Sequence, residues 1–412
     1  MKRSLLAQIK NEWRDNLWLV VALTVVTGLI WGASVMFYRT IKPTLLPRGF
    51  DYKNVYTLSL KQVSKSSPYY TEIASDEYTK ASYDDFKSLI TRLRENPNVE
   101  KVAFHWSATP YTLNYNGGSL ARTDVKDSIT YTANVRYGSP DIAGVLGYES
   151  VTGKTTEQLT EILRRGELLV GDSWTYSESG RDVMDLLGKT VILNNDTSQI
   201  YRVGDIIRNV RRMDFEDSWG GTAIVPLSED TPWGDVVIKI KDGHDNRFKE
   251  DFRNDRSLRR QRNIYFSDLT RLADTRDMVQ RSAITAQHML VCLMVFLLLT
   301  IFLGLLGTFW FRIQQRVGEI AIRKVNGATK GDIFRRVLGE GMILLLVASL
   351  AMSVIIWPFA KFFTDTLQST YLEMFIFEFI AIGLVALGIV LSLWYPAAKA
   401  MRIEPAIALK SE

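Results

Sequence analysis

Four apolar stretches limit what this chain can fold into: Leu17–Phe37, Met289–Phe311, Met342–Ala360 and Met374–Tyr395. Each reaches or approaches the ~20 residues that cross the hydrocarbon of a bilayer. Within lipid an apolar segment of this kind satisfies its backbone as a helix. The expectation is therefore four membrane helices, over 17–37, 289–311, 338–360 and 374–395. The first stretch exceeds the ~7–15 apolar residues of a secretory signal, and no small-x-small cleavage site follows it, so it reads as a retained anchor. Between the first and second stretches the composition is that of a soluble protein, giving one large insertion over 43–280.

The net charge of +5 is not a nucleic-acid signature, because the bases flank the apolar stretches instead of collecting on one soluble face. Lys2, Arg3, Lys10 and Arg14 precede the first stretch. Arg312, Arg316, Arg323, Lys324, Lys330, Arg335 and Arg336 crowd the 312–336 segment, against Glu319 and Asp332. Lys399, Arg402 and Lys410 mark the tail over 396–412, whereas the 361–373 loop holds one base and two acids. The positive-inside rule then places both termini and 312–336 in the cytoplasm, and the insertion and the 361–373 loop outside. Leu5, Leu6, Ile9, Trp13 and Leu17 form one helical stripe, so 1–16 reads as a cytoplasmic amphipathic helix lying on the bilayer. The single cysteine, Cys292, lies inside the second stretch. The insertion is thus expected to fold on its own core without disulfides, and Fe–S, zinc-ribbon and thiol-redox chemistries drop out.

Inside the insertion, strand patterns occur at Val55–Leu60, Val99–Trp106, 130–137, Leu168–Gly171, Thr190–Leu193, Thr222–Pro226, Val236–Ile240 and Ile264–Phe266. Residues 83–93 place apolar side chains at 86, 89, 90 and 93, a helical spacing, and 244–262 reads as a basic helix. Strand–helix–strand therefore occurs once at each end, around a β-rich middle. The reading is a membrane α-helical protein with an extracytoplasmic α+β domain of two lobes, a split βαβ lobe with an inserted β-rich lobe. Ser267 is expected to cap a stalk helix over 267–288 that runs into the second span without a break.

The 312–336 segment has its own grammar. Ile313, Val317, Ile320, Ala321 and Val325 fall on one helical face, with Arg316, Glu319, Arg323 and Lys324 on the other. Asn326-Gly327 supplies a helix stop that favours positive φ at Gly327, and Thr329-x-x-Asp332 spells a new capped N-terminus. The sequence thus describes a short surface helix held between two spans.

The phrase Glu319-Ile320-x-Ile322-Arg323-Lys324-x-x-Gly327-Ala328 resembles the cytosolic segment of MacB-like and FtsX-like ABC transporter permeases. The tail, with Pro396, Ala397, Ala400, Pro405, Ala408 and Leu409, resembles that family's C-terminal signature, and Gly138-Ser139-Pro140 through Gly204 fits its outer-domain pattern. The resemblance covers essentially the whole chain. It implies an inner-membrane, multi-pass permease whose 318–328 helix docks on a separate cytosolic ABC ATPase. ATP and magnesium would sit on that partner, with no cofactor in this chain. It further implies a dimer with a second copy or a paralogue, and ATP-driven movement of the outer domain that exports or extracts a peptide, toxin, drug or lipoprotein. A periplasmic adaptor and an outer-membrane channel are further candidate partners. The alternatives are an FtsX-like regulator of a cell-wall hydrolase and a membrane-anchored sensor.

No catalytic or metal residue is assigned. Gly147 to Lys154 imitates a phosphate-binding loop, but five residues separate its glycines where that loop needs four. His105, His244 and His288 stand in no ligand spacing, and no nucleophile elbow is present. Glu340 and Glu378, near the ends of spans, read as solvated or snorkelling. Gly304 with Gly307 and Gly383 with Gly388 read as weak helix-packing pairs.

Overall fold

The computed structural model describes residues 13–124, 130–172, 182–215, 221–230, 232–359 and 370–400. The expected interfacial helix over 1–16 up to residue 12, the 361–373 loop up to 369 and the tail beyond 400 lie outside them. The chain divides into a unit of Pro43–Ile284 and a unit made of the residues on either side. Helix α1 (Trp13–Leu45) precedes the first of these.

The α+β unit runs β1 (Val55–Gln62), α2 (Tyr78–Glu95), β2 (Val99–Trp106), β3 (Gly117–Arg122), β4 (Thr130–Gly138), α3 (Ile142–Val145), α4 (Thr156–Arg164), β5 (Leu168–Gly171), β6 (Thr190–Leu193), β7 (Ile200–Ile207), β8 (Gly221–Pro226), β9 (Asp235–Ile240), α5 (Asp245–Asn254), α6 (Arg256–Arg259), β10 (Arg260–Gln261), β11 (Ile264–Arg271) and α7 (Leu272–Val279). Its end segments form an antiparallel sheet in the order β11-β1-β9-β2. With α2 and α5 as the crossovers, this is the split βαβ arrangement. Successive residues of each strand serve opposite faces. Val102, Phe104, Val236 and Ile238 pack with Phe86, Leu89 and Leu93 of α2, whereas Ala103 and Val237 face a second core with α3 and α4.

The inserted lobe leaves after β2 and returns before β9. It rings up as β4-β3-β6-β7-β5-β8, and parallel pairing of β4 with β8, from Ala133↔Gly221 to Gly138↔Pro226, closes it into a six-stranded barrel. Leu120, Tyr131, Ala133, Val135, Val170 and Val225 fill its interior. Two residue pairs, His105↔Gly138 and Trp106↔Tyr137, join barrel and sheet.

Two expectations need correction here. Ser267 does not cap a helix. Residues 264–271 form one strand, paired with β1 through Leu60↔Phe266, Leu58↔Leu269 and Tyr56↔Arg271, and the helix starts at Leu272. A ladder partner more than two hundred positions upstream in β1 outweighs a local capping residue. The 244–262 helix is two, because Asp255 adopts an extended backbone and its side chain accepts from Ser257 N–H to start α6.

The other unit holds α1, α8 (Arg281–Gln315), α9 (Val317–Val325), α10 (Lys330–Ile356) and α11 (Tyr371–Ala400). Among the described residues four helices are long and apolar enough to cross a membrane: Asn16–Leu45, Arg281–Gln315, Gly331–Ile356 and Tyr371–Trp394. Leu23, Ile30, Phe309, Leu345, Ala381 and Ile389 belong to their shared core. The turn residue Gln280 interrupts the expected continuous stalk between α7 and α8. Helix α11 also runs through Pro396 to Ala400 instead of stopping there. Proline removes one backbone bond, which a long helix tolerates.

Neither acid of the spans is solvated. Glu340 is 8% exposed and accepts from Arg316 Nη1 at 2.7 Å. Glu378 is 8% exposed and accepts from Ser353 Oγ and, at 3.1 Å, from Trp357 Nε1. A buried carboxylate needs such donors, because desolvation alone is costly. Of the four glycines singled out for packing only Gly388 meets a neighbour, Leu305, whereas an added Cβ at Gly341 would lie 3.1 Å from Ile389 and 3.5 Å from Phe309.

Candidate functional site

Helix α9 stands between α8 and α10, and both of its ends are fixed by local chemistry. Arg316 is the N-cap residue and reaches Glu340 across the corner. At the other end Asn326 is the C-cap and Gly327 has φ +88°. Gly327 N–H donates to Lys324 O and Ala328 N–H to Arg323 O, both at 3.0 Å. This is the paired bonding of a Schellman stop. Thr329 then starts α10 with a complete capping box: its side chain accepts from Asp332 N–H at 3.2 Å, and its own N–H donates to Asp332 Oδ2 at 3.1 Å.

Ile320 and Ala321 are the buried residues of α9, and Ile320 packs in the core with Ile313 and Ile333. Burying the isoleucine contributes roughly 1.5–3 kcal/mol, and the capping box adds about 1 kcal/mol. Glu319 and Arg323 pair one turn apart at 2.6 Å, each 38% exposed. Such a pair contributes only about 0.3–0.5 kcal/mol. Packing of Ile320 and the Gly327 stop therefore do more than this pair to hold the helix.

The expected division into one apolar and one charged face holds only in part. Val325 is 64% exposed, because it closes the helix beyond the reach of the packed neighbours, and Ile322 is 53% exposed. Glu319 and Arg323 are not opposite the buried face but line a small pocket with Ile320, Ile333, Arg336 and Glu340. What α9 presents outward is thus an apolar ridge, Ile322 and Val325, beside the half-buried Lys324. Sequence periodicity places Val325 on the same apolar face as Ile320. Its place immediately before the Asn-Gly stop was the signal that it would project. Pro396, Ala397 and Ala400 lie at the end of α11, and Pro405, Ala408 and Leu409 lie outside the described residues.

At the root of the α+β unit, Asp214 has a side-chain exposure of 6% and gathers four donors. These are Arg276 Nε at 2.7 Å, Arg48 Nε at 3.1 Å, Tyr111 Oη at 3.1 Å and Gln280 Nε2 at 3.3 Å. Burial pushes its pKa up, but the hydrogen bonds from Arg276 and Arg48 outweigh that and hold it below the usual carboxylate value. Arg211 donates to the Pro43 and Asp214 carbonyls. The resemblance to a phosphate loop is also resolved. Ser150, Thr152 and Lys154 converge on the protein's own Asp205, Thr152 Oγ1 at 2.7 Å and Lys154 Nζ at 2.6 Å, so that loop is occupied by an internal carboxylate. Among the described residues no group of three or more His, Cys, Asp or Glu is placed to hold a metal ion.

Four candidate spans, an α+β unit inserted after the first and a short helix between the second and third give the layout of a multi-span membrane protein. Residues 291–405 match the family described as FtsX-like permease C-terminal, a stretch containing α9, α10, α11 and most of α8. No curated protein matches the chain. Among solved structures, one similar to this chain is the extracellular domain of the noncanonic ABC-type transporter YknZ from Gram-positive bacteria. The match has 10% identity, covers 52% of this chain and 100% of that one, and has a TM-score of 0.31, too loose to bear on function.

Proposed function

We propose that this chain is the transmembrane subunit of an ABC transporter and that α9 is its coupling helix. Glu319, Ile320, Ile322, Arg323, Lys324, Gly327 and Ala328 are the residues that dock on or shape the contact with a separate cytosolic ATPase. The ATPase carries ATP and magnesium. A dimer of such subunits passes the motion to the α+β unit on the far side of an inner membrane, where it exports or extracts a peptide, toxin, drug or lipoprotein. Both termini are cytoplasmic in this reading. The observation that carries it is the construction of α9, a helix tied at its start by the Arg316–Glu340 pair and closed at its end by the Gly327 stop, within the stretch similar to FtsX-like permeases.

The test is Glu319→Lys. It adds positive charge inside, so orientation is kept, and the lost pair contributes only about 0.5 kcal/mol to the fold. The new Lys faces Arg323, and a docking surface that relied on Glu319 is weakened by like-charge contact. Purified with its cognate ATPase, the variant is expected to insert normally and to lose most substrate-dependent turnover. Full turnover with normal ATPase retention removes Glu319 from the coupling surface.

A further inference from the structure

The α+β unit contains a buried polar cluster that neither the packing nor the proposed coupling uses. Arg136 on β4, His105 on β2 and Tyr148 just after α3 are 1%, 3% and 1% exposed. His105 stands opposite Gly138 in the β2–β4 pairing, and Arg136 is two residues before Gly138. Their side chains therefore leave the same face of the sheet. That face looks into the core that holds Tyr148, Ala108 and Val210.

Each of the three carries a hydrogen that goes nowhere. Arg136 donates Nη1 to Ala108 O at 3.2 Å and Nη2 to Val210 O at 2.9 Å, and its Nε–H has no partner among the described residues. Ala108 N–H donates to His105 Nδ1 at 3.3 Å. A ring whose Nδ1 accepts carries its proton on Nε2 when neutral. Burial, aided by the Arg136 charge, keeps it neutral by lowering its pKa to about 4. Nε2 is therefore a donor, also without a partner. Tyr148 Oη is the third, and burial raises its pKa, so it keeps its proton.

The charge balance points the same way. Burial lowers the pKa of Arg136 to about 10, which leaves it cationic at neutral pH, and the other cation acting on it, Arg212, adds repulsion. Among the described residues both groups to which Arg136 donates are neutral carbonyls. A buried charge is costly unless something of opposite sign compensates it. We propose that Arg136 Nε, His105 Nε2 and Tyr148 Oη bind one small monatomic anion, a halide, inside the α+β unit. Three donors and a net positive charge suit chloride or bromide. Leu146, Ile207 and Val210 are apolar members of the same core, and a monatomic ion needs no polar partner beyond the three donors.

The experiment is thermal melting of the full chain in detergent, followed by tryptophan fluorescence. Sodium chloride or bromide replaces sodium gluconate at constant ionic strength. Because an ion that binds only the folded state stabilises it by mass action, the Tm is expected to rise with the logarithm of halide concentration once the site fills. Tyr148→Phe removes one of three donors to a charged ligand and is expected to raise the half-saturating halide concentration about tenfold. Arg136→Met is expected to abolish the response, and if that variant does not fold, Tyr148→Phe decides. A Tm identical in chloride and gluconate, as a bound water would give, overturns the proposal. So does a halide response unchanged in Tyr148→Phe.

Discussion

Asp214 accepts hydrogen bonds from two arginines, a tyrosine and a glutamine while nearly sealed from water. Its effect on stability has a definite sign. An unfolded Asp titrates near 3.9, and this one titrates lower in the folded state. Its contribution is therefore complete above about pH 5 and disappears as pH falls through the folded value. Asp214→Asn keeps the shape and removes the charge. Arg48 and Arg276 are partly exposed, at 38% and 25%, so the cost is expected below the range for fully buried pairs, about 2 kcal/mol at pH 7. Denaturant melts of both proteins at pH 7 and at acid pH check this: the gap between them should close as the wild-type carboxylate protonates. An equal gap at both pH values assigns the cost to packing instead.

At the scale of the element, α9 buries one surface and exposes another. Ile320 and Ala321 are buried, while Ile322 and Val325 form the outward ridge. Placing Glu at Ile322 or Val325 should leave the helix intact, because neither side chain packs in the core. Each substitution should weaken ATPase retention about tenfold, consistent with the roughly 1.5–3 kcal/mol that burying such a side chain contributes. A quantitative pull-down with purified ATPase checks it, and unchanged retention restricts docking to the charged residues. This element was also the most legible part of the sequence. Gly327 and the Thr329–Asp332 box act through neighbours a few positions away, so their spelling determined their geometry. Val325 was misplaced because periodicity does not show how far the packed neighbours extend. Glu378 was misread as solvated because its donors, Ser353 and Trp357, come from another helix.

The whole molecule repeats that contrast. The four apolar stretches and the split strand–helix–strand were visible because each is a property of a continuous segment. Barrel closure was not. It rests on parallel pairing of β4 with β8, between residues near 135 and residues near 223, and nothing in either strand names the other. Ser267 failed for the same reason, since a distant strand claimed its segment. Orientation is testable at this scale. Bases concentrate around 312–336 and the tail, so a reporter fused after Glu412 should be active only in the cytoplasm. Protease added outside should cut only within 43–280 or 361–373. A reporter active outside reverses the topology.

The loop that carries Arg211 and Asp214 touches both ends of the inserted unit, Pro43 where the chain comes in and Arg276 and Gln280 where it goes out. A domain whose two ends are stitched at one place behaves, to the chain that hosts it, like a short loop, whatever its size. Insertions of that kind can be enlarged, trimmed or exchanged through evolution with little demand on the flanking helices. The two parts of such a protein are then free to diverge at different rates, with the Asp214 knot as the piece the α+β part must keep.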